Sequence, residues 1–422
     1  MTELKRALGL LEVTLAGVGI ILGAGIYALI GKAAGLAGNG IWMSFLIGAI
    51  VAALSGLTYA ELSSIFPKAG AEYEYTRNAF GKRLAFIVGW LITFSGIVSA
   101  TTVALGFAGY FSAMFGTPIL LAGIVLILLL GAVMLYGVKE SAWLANIGTL
   151  VEASGLLLII IFAIPFFGKV DYFSIPSPEG VFSAAALIFF AYIGFGEITR
   201  MAEETKNPTK DIPIGLLLAI AITTVLYILV GLASISVVPA EKLAVSHSPL
   251  ADVISVTIGK EAFFWFSIIA LFATGNTVLL VMMATSRLIY GMASTGAFPK
   301  FLAVVHSTRQ TPWMAIIFSV MLSILFFFVG GIEKVAAISN LTVYITFIAI
   351  NLALIKLRYS APNLPRPFKV PFSIGKMPVL PLLSIGSCLF MIANVEVDAL
   401  IYGLGLTVLG IVILLLLKID EK

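Results

Sequence analysis

Long apolar stretches recur along this chain, and each is long enough to cross a lipid bilayer. A helix that spans the hydrocarbon core needs about 20 predominantly apolar residues. We count twelve such stretches, at 10–31, 41–63, 84–112, 117–137, 143–167, 181–200, 212–238, 262–294, 312–330, 335–357, 377–395 and 399–417. Only 11% of the residues are charged, against about a quarter in soluble domains. The sequence therefore predicts an all-α membrane protein with twelve transmembrane helices, in a single domain over 1–422.

The basic residues are unevenly distributed between the two ends of these stretches. Lysine and arginine concentrate in the cytoplasmic loops of membrane proteins. With a cytoplasmic N-terminus, 20 of the 25 basic residues fall on the cytoplasmic side, and the others are Lys32, Lys169, Lys242, Lys260 and Lys334. We therefore expect a multi-pass protein of the cell membrane with both termini in the cytoplasm. This bias also accounts for the net charge of +4 without a nucleic-acid partner.

The first apolar stretch contains the sequence GVGIILGAGIYALIG at 17–31, with five glycines. Each glycine inside a helix costs about 1 kcal/mol relative to alanine, so we predict that the helix breaks around 22–26. In a bilayer, a break is tolerated only where the backbone is buried in protein or lines a cavity. The N–H groups that start the second half-helix then form an anion-binding site.

The sixth stretch contains a similar interruption. Gly194 and Gly196 flank Phe195, and Glu197 follows directly. Interrupted helices at corresponding positions of two halves indicate a binding site near the membrane midplane. We therefore predict two five-helix repeats of opposite orientation, at about 10–167 and 181–357, followed by two additional helices at about 377–417. The alternative is that these glycines only reflect the higher glycine content of membrane helices.

Four motifs together resemble the amino acid–polyamine–organocation (APC) superfamily, specifically its prokaryotic amino-acid permeases. They are GAGIY at 23–27, YAELSSIFPKAGAEYEYTRNAFGK at 59–82, FFAYIGFGEITRMAEETKNPTKDIP at 189–213 and SRLIYGMASTGAFP at 286–299. The resemblance covers nearly the whole chain. It implies the LeuT-type fold, a 5+5 inverted repeat with discontinuous helices 1 and 6. It also implies transport of amino acids or related amines, driven by protons or by exchange.

The resemblance also implies a substrate site between the two breaks. In such a site, backbone N–H groups of 24–26 bind the substrate carboxylate, and carbonyl groups of 189–191 face its ammonium group. Phe190 aligns with an aromatic gate, although a packing or lipid-facing role is the alternative. The hydroxyl of Ser95 is a candidate for the wall, although small residues also pack helices together. The predicted substrate-binding residues are Gly23, Ala24, Gly25, Ile26, Ser95, Phe189, Phe190, Ala191 and Gly194.

Two acidic residues fall inside apolar stretches. A carboxylate at mid-bilayer costs about 2.5–3.5 kcal/mol, so Glu152 must be protonated, paired across helices or bound to a cation. The resemblance implies that some relatives carry a lysine near this position in place of a sodium ion, and here the charge is reversed. We predict that Glu152 and Glu197 are the coupling residues, with the proton as coupling ion and sodium not excluded. The alternatives are structural hydrogen bonding for both acids, or binding of a substrate amine by Glu197.

Glu203 and Glu204 follow the second interruption and precede Lys206. We predict that they form a cytoplasmic gate by pairing with Arg77 or Arg287, in addition to the aromatic gate at Phe190. The alternative is solvated charge at the membrane interface.

The remaining function classes are less well matched. A polyamine or organic-amine carrier is the main alternative to an amino-acid carrier, because two buried acids suit a cationic substrate. An ion channel should carry a repeated filter or charged rings, which the sequence does not display. Cys388 is the single cysteine, and His247 and His306 both lie in predicted loops. We therefore expect no metal site, no cofactor and no enzyme activity.

Overall fold

Sixteen α-helices make up most of the described structure, a computed structural model that covers residues 8–67, 71–136 and 138–416, without the side chains of 138–149. They are α1 (Leu10–Leu22), α2 (Gly25–Ala37), α3 (Ile41–Ile65), α4 (Ala71–Phe80), α5 (Lys82–Phe115), α6 (Ile119–Tyr136), α7 (Val138–Ala163), α8 (Pro178–Ile188), α9 (Pro208–Val237), α10 (Ala240–Val245), α11 (Pro249–Ile258), α12 (Glu261–Ser294), α13 (Trp313–Phe326), α14 (Ile332–Ser360), α15 (Val379–Ala393) and α16 (Val397–Leu416). A two-residue hairpin, β1 (Ser373–Ile374) with β2 (Met377–Pro378), precedes α15. Several positions used above for the charge bias or the motifs lie outside the described residues: Lys5, Arg6, 68–70, Lys418, Lys422 and the side chain of Lys139.

Eight helical segments within the described ranges are long and apolar enough to cross a membrane. They are Gly25–Ile65, Lys82–Phe115, Ile119–Tyr136, Pro178–Glu204, Pro208–Val237, Glu261–Ser294, Ile332–Ser360 and Val397–Leu416. Shorter apolar helices include α1, α13 and α15. The count differs from twelve partly because α1 ends at Leu22, and because a 3-10 turn at Gly38–Gly40 joins α2 to α3. The helical, multi-pass class is as predicted, and the number of crossings stays a prediction.

The helices pack in pairs around the centre of the bundle. The most extensive contacts are between α3 and α9, and between α5 and α12. Both α5 and α12 have 34 residues. Helix α1 packs against α9, and α2 packs against α8. The last two helices, α15 and α16, contact α14 at the outside of the bundle, so the central site is formed by earlier helices.

A buried ion cluster connects the end of α3 to the end of α14. Arg358 Nε lies 2.9 Å from Glu61 Oε1, and Arg366 Nε lies 3.2 Å from the same oxygen. The backbone N–H of Val370 donates to Glu61 Oε2 at 2.8 Å. Glu61 is fully buried, and both arginines are nearly so. One carboxylate therefore stabilises two guanidinium groups and the end of the loop before β1.

We expect the Glu61→Gln variant to be strongly destabilised. Glutamine keeps the shape but removes the charge that compensates Arg358 and Arg366, and breaking a buried pair in this way costs about 3–5 kcal/mol. The melting temperature of the purified variant in detergent should therefore fall well below that of the wild type. The control is Asp398→Asn, because Asp398 pairs with Lys334 but its side chain is 70% exposed, and such pairs contribute only about 0–1 kcal/mol. Equal, small shifts in both variants would contradict the structural role of the cluster.

Candidate substrate-binding site

The first apolar stretch breaks where its glycines predict. Helix α1 ends at Leu22 and α2 begins at Gly25. The hydrogen-bond ladder of α2 starts with Ala28 N–H donating to Ala24 O at 2.9 Å. The preceding N–H groups, of 25–27, therefore have no partner inside the helix. The N–H of Ala24 donates to Thr277 Oγ1 on α12, at 3.0 Å.

The second break lies between α8 and a 3-10 helix. Helix α8 ends at Ile188, a 3-10 turn covers Phe189–Tyr192, and a longer 3-10 helix runs over Phe195–Glu204. Gly194 connects the two 3-10 segments with a φ of +129°, a backbone conformation that residues with a Cβ rarely adopt. The sequence pattern predicts the break but not that the second half is a 3-10 helix.

The two breaks contact each other directly. A Cβ added to Gly25 would lie 2.9 Å from Ala191 Cα and 3.1 Å from Phe190 Cδ1, so glycine is needed for this approach. The buried hydroxyl of Tyr227 on α9 lies 2.6 Å from Ile21 O and 3.0 Å from Ala191 O. Carbonyl groups left free by both breaks therefore share one hydrogen-bond partner.

Helix α14 supplies partners for the carbonyl groups at the end of α8. Asn340 Nδ2 donates to Ala186 O at 2.7 Å and to Leu187 O at 2.9 Å. The hydroxyl of Tyr344 donates to Ala186 O at 3.2 Å. The ring of Phe189 packs on Tyr344, with ring centroids 4.9 Å apart. Phe189 therefore belongs to the packing around α14 rather than to an open site.

A cavity of about 320 Å³ lies beside the two breaks. The predicted site residues that line it are Gly23, Gly25, Ser95, Glu152, Phe190, Ala191, Gly194 and Glu197. Among the described residues, Ala24, Ile26 and Phe189 are buried and do not form its walls. The rest of the surface is mainly apolar, and includes Ile92, Val103, Leu280, Val281, Leu288, Val343 and Phe347. The structure thus brings most of the predicted residues to one apolar cavity.

Glu152 reaches this cavity from α7 and is 1% exposed. Thr277 Oγ1 lies 3.4 Å from Glu152 Oε1. The hydroxyl of Tyr27 on α2 donates to the backbone oxygen of Glu152 at 2.6 Å. The hydroxyl group of Thr277 therefore connects Glu152, the predicted coupling acid, to Ala24 at the first break.

Glu197 belongs to a charged cluster that the sequence did not indicate as a site. Arg200 Nη1 lies 2.6 Å from Glu197 Oε2, and Arg200 Nη2 lies 3.4 Å from Glu72 Oε2 on α4. The hydroxyl of Tyr59 lies 3.4 Å from Glu72 Oε1. All four residues line the cavity. The i, i+3 spacing of Glu197 and Arg200 is a signal of this pair in the sequence, whereas nothing local points to Glu72.

The predicted gate acids lie at the end of the second 3-10 helix. Glu203 and Glu204 are exposed and are not part of the cavity wall. The backbone oxygen of Glu204 accepts a hydrogen bond from Leu8 N–H at 3.1 Å. Arg77 lies 3.5 Å from Glu74 of its own helix. The pairing of the gate acids with Arg77 or Arg287 therefore stays a prediction.

Two interrupted helices that meet beside a central cavity, inside an apolar helical bundle, are typical of membrane transporters. Comparison with known proteins then gives the family. Residues 8–414 match the family described as amino acid permease. The chain belongs to this family, within the APC superfamily, and is a membrane transporter rather than an enzyme. The relationship indicated by the four sequence motifs is therefore confirmed.

Individual relatives cover most of the chain. The branched-chain amino acid permease BcaP of Bacillus subtilis is 33% identical over 97% of this chain and 92% of its own length. The methylthioribose transporter of the same organism is 32% identical over 92% of this chain and 88% of its own length. The vacuolar cationic amino acid transporter 4 of Arabidopsis thaliana is 29% identical over 86% of this chain and 64% of its own length. The family and the two amino-acid carriers among these relatives support transport of amino acids.

Proposed function

We propose that this protein is a secondary transporter that moves amino acids across the cell membrane by alternating access. The observation that carries the proposal is the contact between the two breaks at Gly25 and Ala191, beside a cavity that both breaks line. The N–H groups at the start of α2 bind the substrate carboxylate, because a helix N-terminus offers unpaired donors and partial positive charge. The carbonyl groups near Phe190 and Ala191 receive the ammonium group, and Phe190 closes the site.

The architecture we propose is a 5+5 inverted repeat with two additional helices and twelve crossings. The order of elements supports it, since each half begins with an interrupted helix, at α1–α2 and at α8. In each half, the interrupted helix is followed by a helix of at least 25 residues, α3 or α9. A 34-residue helix, α5 or α12, comes next after shorter helices, which are α4 in the first half and α10 and α11 in the second. Corresponding members also pack against each other, α3 on α9 and α5 on α12. The basic residues favour cytoplasmic termini.

A polyamine or organic-amine substrate is the second candidate. It is favoured by three carboxyl groups in the cavity, of Glu72, Glu152 and Glu197, against the single guanidinium of Arg200. Two of these acids, however, already pair with Arg200, and most of the remaining wall is apolar. An apolar wall in which Glu152 is the one described acid outside the Arg200 pairs suits the side chain of a neutral amino acid better than a polycation. We therefore favour neutral amino acids, with the proton as coupling ion and sodium as the alternative.

A counterflow experiment tests this function. If the protein is a carrier, proteoliposomes loaded with unlabelled substrate should transiently accumulate labelled substrate to an internal concentration above its equilibrium value. The panel begins with leucine, isoleucine and valine, and adds lysine, arginine, putrescine and spermidine. We expect counterflow with the neutral amino acids, measured against protein-free vesicles. Counterflow confined to putrescine and spermidine would replace the amino-acid proposal with the amine carrier, and conductive flux without counterflow would contradict a carrier altogether.

A further inference from the structure

The side chain of Thr277 connects the first break, at Ala24, to the buried acid Glu152. No sequence pattern predicts this connection. Its Oγ1 accepts the N–H of Ala24 at 3.0 Å and lies 3.4 Å from Glu152 Oε1. The same hydroxyl lies 3.2 Å from the backbone oxygen of Ala273. One hydroxyl proton therefore has two acceptors, a carboxyl group and a carbonyl group.

These distances define two hydrogen-bond arrangements that keep the first break in place. When Glu152 is ionised, the hydroxyl proton of Thr277 points to the carboxylate. When Glu152 is protonated, its O–H donates to Thr277 Oγ1, and the hydroxyl proton turns to Ala273 O. Because a hydroxyl oxygen has two acceptor lone pairs, the N–H of Ala24 is bound in both arrangements. What changes is the negative charge beside the anion site.

Few other ionisable groups surround the carboxyl group of Glu152 among the described residues. Tyr27 on α2 and Tyr227 on α9 interact with it electrostatically, and α12 contributes the neutral Thr277. The remaining charges at the cavity wall are Glu72, Glu197 and Arg200, and both of these acids pair with Arg200. Among the described acids of the cavity, Glu152 is therefore the one that is linked to the first break through a single hydroxyl group and lies outside the Arg200 pairs.

We propose that Thr277 is a positioning residue that couples the charge of Glu152 to substrate binding at the first break, an inference that rests on the proposed function. An ionised Glu152, one hydroxyl away from Ala24, repels the substrate carboxylate. A neutral Glu152 removes that repulsion, so the substrate and a proton bind together. Thr277 keeps the carboxyl group and the anion site at a fixed separation in both states.

The test compares Thr277→Val with Thr277→Ser. Valine keeps the shape of threonine but neither accepts the N–H of Ala24 nor donates to Glu152, whereas serine keeps the hydroxyl. Binding of L-leucine and the other panel amino acids is measured by calorimetry between about pH 5.5 and about pH 8.5. We expect wild-type affinity to fall by about 10-fold or more with rising pH, because an ionised Glu152 repels the substrate carboxylate across a short distance in a mainly apolar cavity. The valine variant loses the hydrogen bonds that hold the carboxyl group of Glu152 beside Ala24, so it should lose most of this pH dependence, and the serine variant should keep it.

The possible outcomes separate this inference from the function on which it rests. A valine variant whose affinity changes with pH as much as that of the wild type would overturn the role of Thr277 and leave amino-acid transport intact. A wild-type protein that binds none of the panel amino acids would overturn both. A serine variant that behaves like valine would show that the hydroxyl is not the group responsible, and would also reject the inference.

Discussion

Replacing Gly25 with valine should abolish transport while leaving a protein that still inserts and purifies. The added Cβ would lie 2.9 Å from Ala191 Cα, which is backbone and cannot turn away. The two breaks must then separate, and the branched side chain also covers the N–H groups at the start of α2. A displacement of about 1 Å in a positioned site costs about 100-fold in rate, so we expect counterflow to fall by at least that factor, measured at equal amounts of reconstituted protein.

Gly405→Val on α16 is the matched control. It introduces the same side chain into a helix, but nothing lies within 4 Å of a Cβ added at Gly405. The intrinsic cost of valine in a helix is therefore similar in the two variants, and only Gly25→Val disturbs the contact with Ala191. Near-normal counterflow in Gly25→Val would mean that the two breaks need not touch, and would remove the main support for the proposed site.

The helical class and both breaks are predictable from the sequence because they depend on local chemistry. A run of about 20 apolar residues indicates a spanning helix whatever other helices pack against it. Glycine at 23, 25 and 194 weakens a helix whatever surrounds it, and the structure places the ends of α1 and α8 close to these positions. The approach of Gly25 to Ala191 is a tertiary contact, and it explains why glycine is required at that position rather than merely tolerated.

The partners of the charged residues are not predictable in the same way. Glu72 lies in the short helix α4, more than 100 positions from Arg200 in the sequence, and the two meet only because α4 and the second 3-10 helix fold to the same wall. Thr277 is likewise joined to Ala24 and Glu152 by the packing of α12 on α2 and α7. The sequence of the fifth apolar stretch identifies Glu152 as an unusual acid, but it does not indicate that the hydroxyl of Thr277 lies beside it.

Replacing Glu152 with glutamine should uncouple substrate movement from the proton gradient. Glutamine has the shape of a protonated glutamate and keeps a group that donates to Thr277, but it neither gains nor loses a proton. Substrate should therefore still bind and exchange, so counterflow is retained at all pH values. Accumulation driven by a proton gradient should fall by about 10-fold or more, because a buried acid at the midplane is the expected proton carrier. The measurement is uptake into proteoliposomes with and without an imposed pH gradient.

Glu396→Gln is the control, because Glu396 is exposed in the connection between α15 and α16 and should leave both assays unchanged. The comparison also decides between the two acids of the cavity. Glu197 is held by Arg200 at 2.6 Å, whereas the described residues place a neutral hydroxyl, that of Thr277, beside the carboxyl group of Glu152, so we expect Glu152 rather than Glu197 to carry the proton. If Glu152→Gln retains full gradient-driven accumulation while Glu197→Gln loses it, the coupling role belongs to the Arg200 cluster, and Thr277 would then have no charge to transmit.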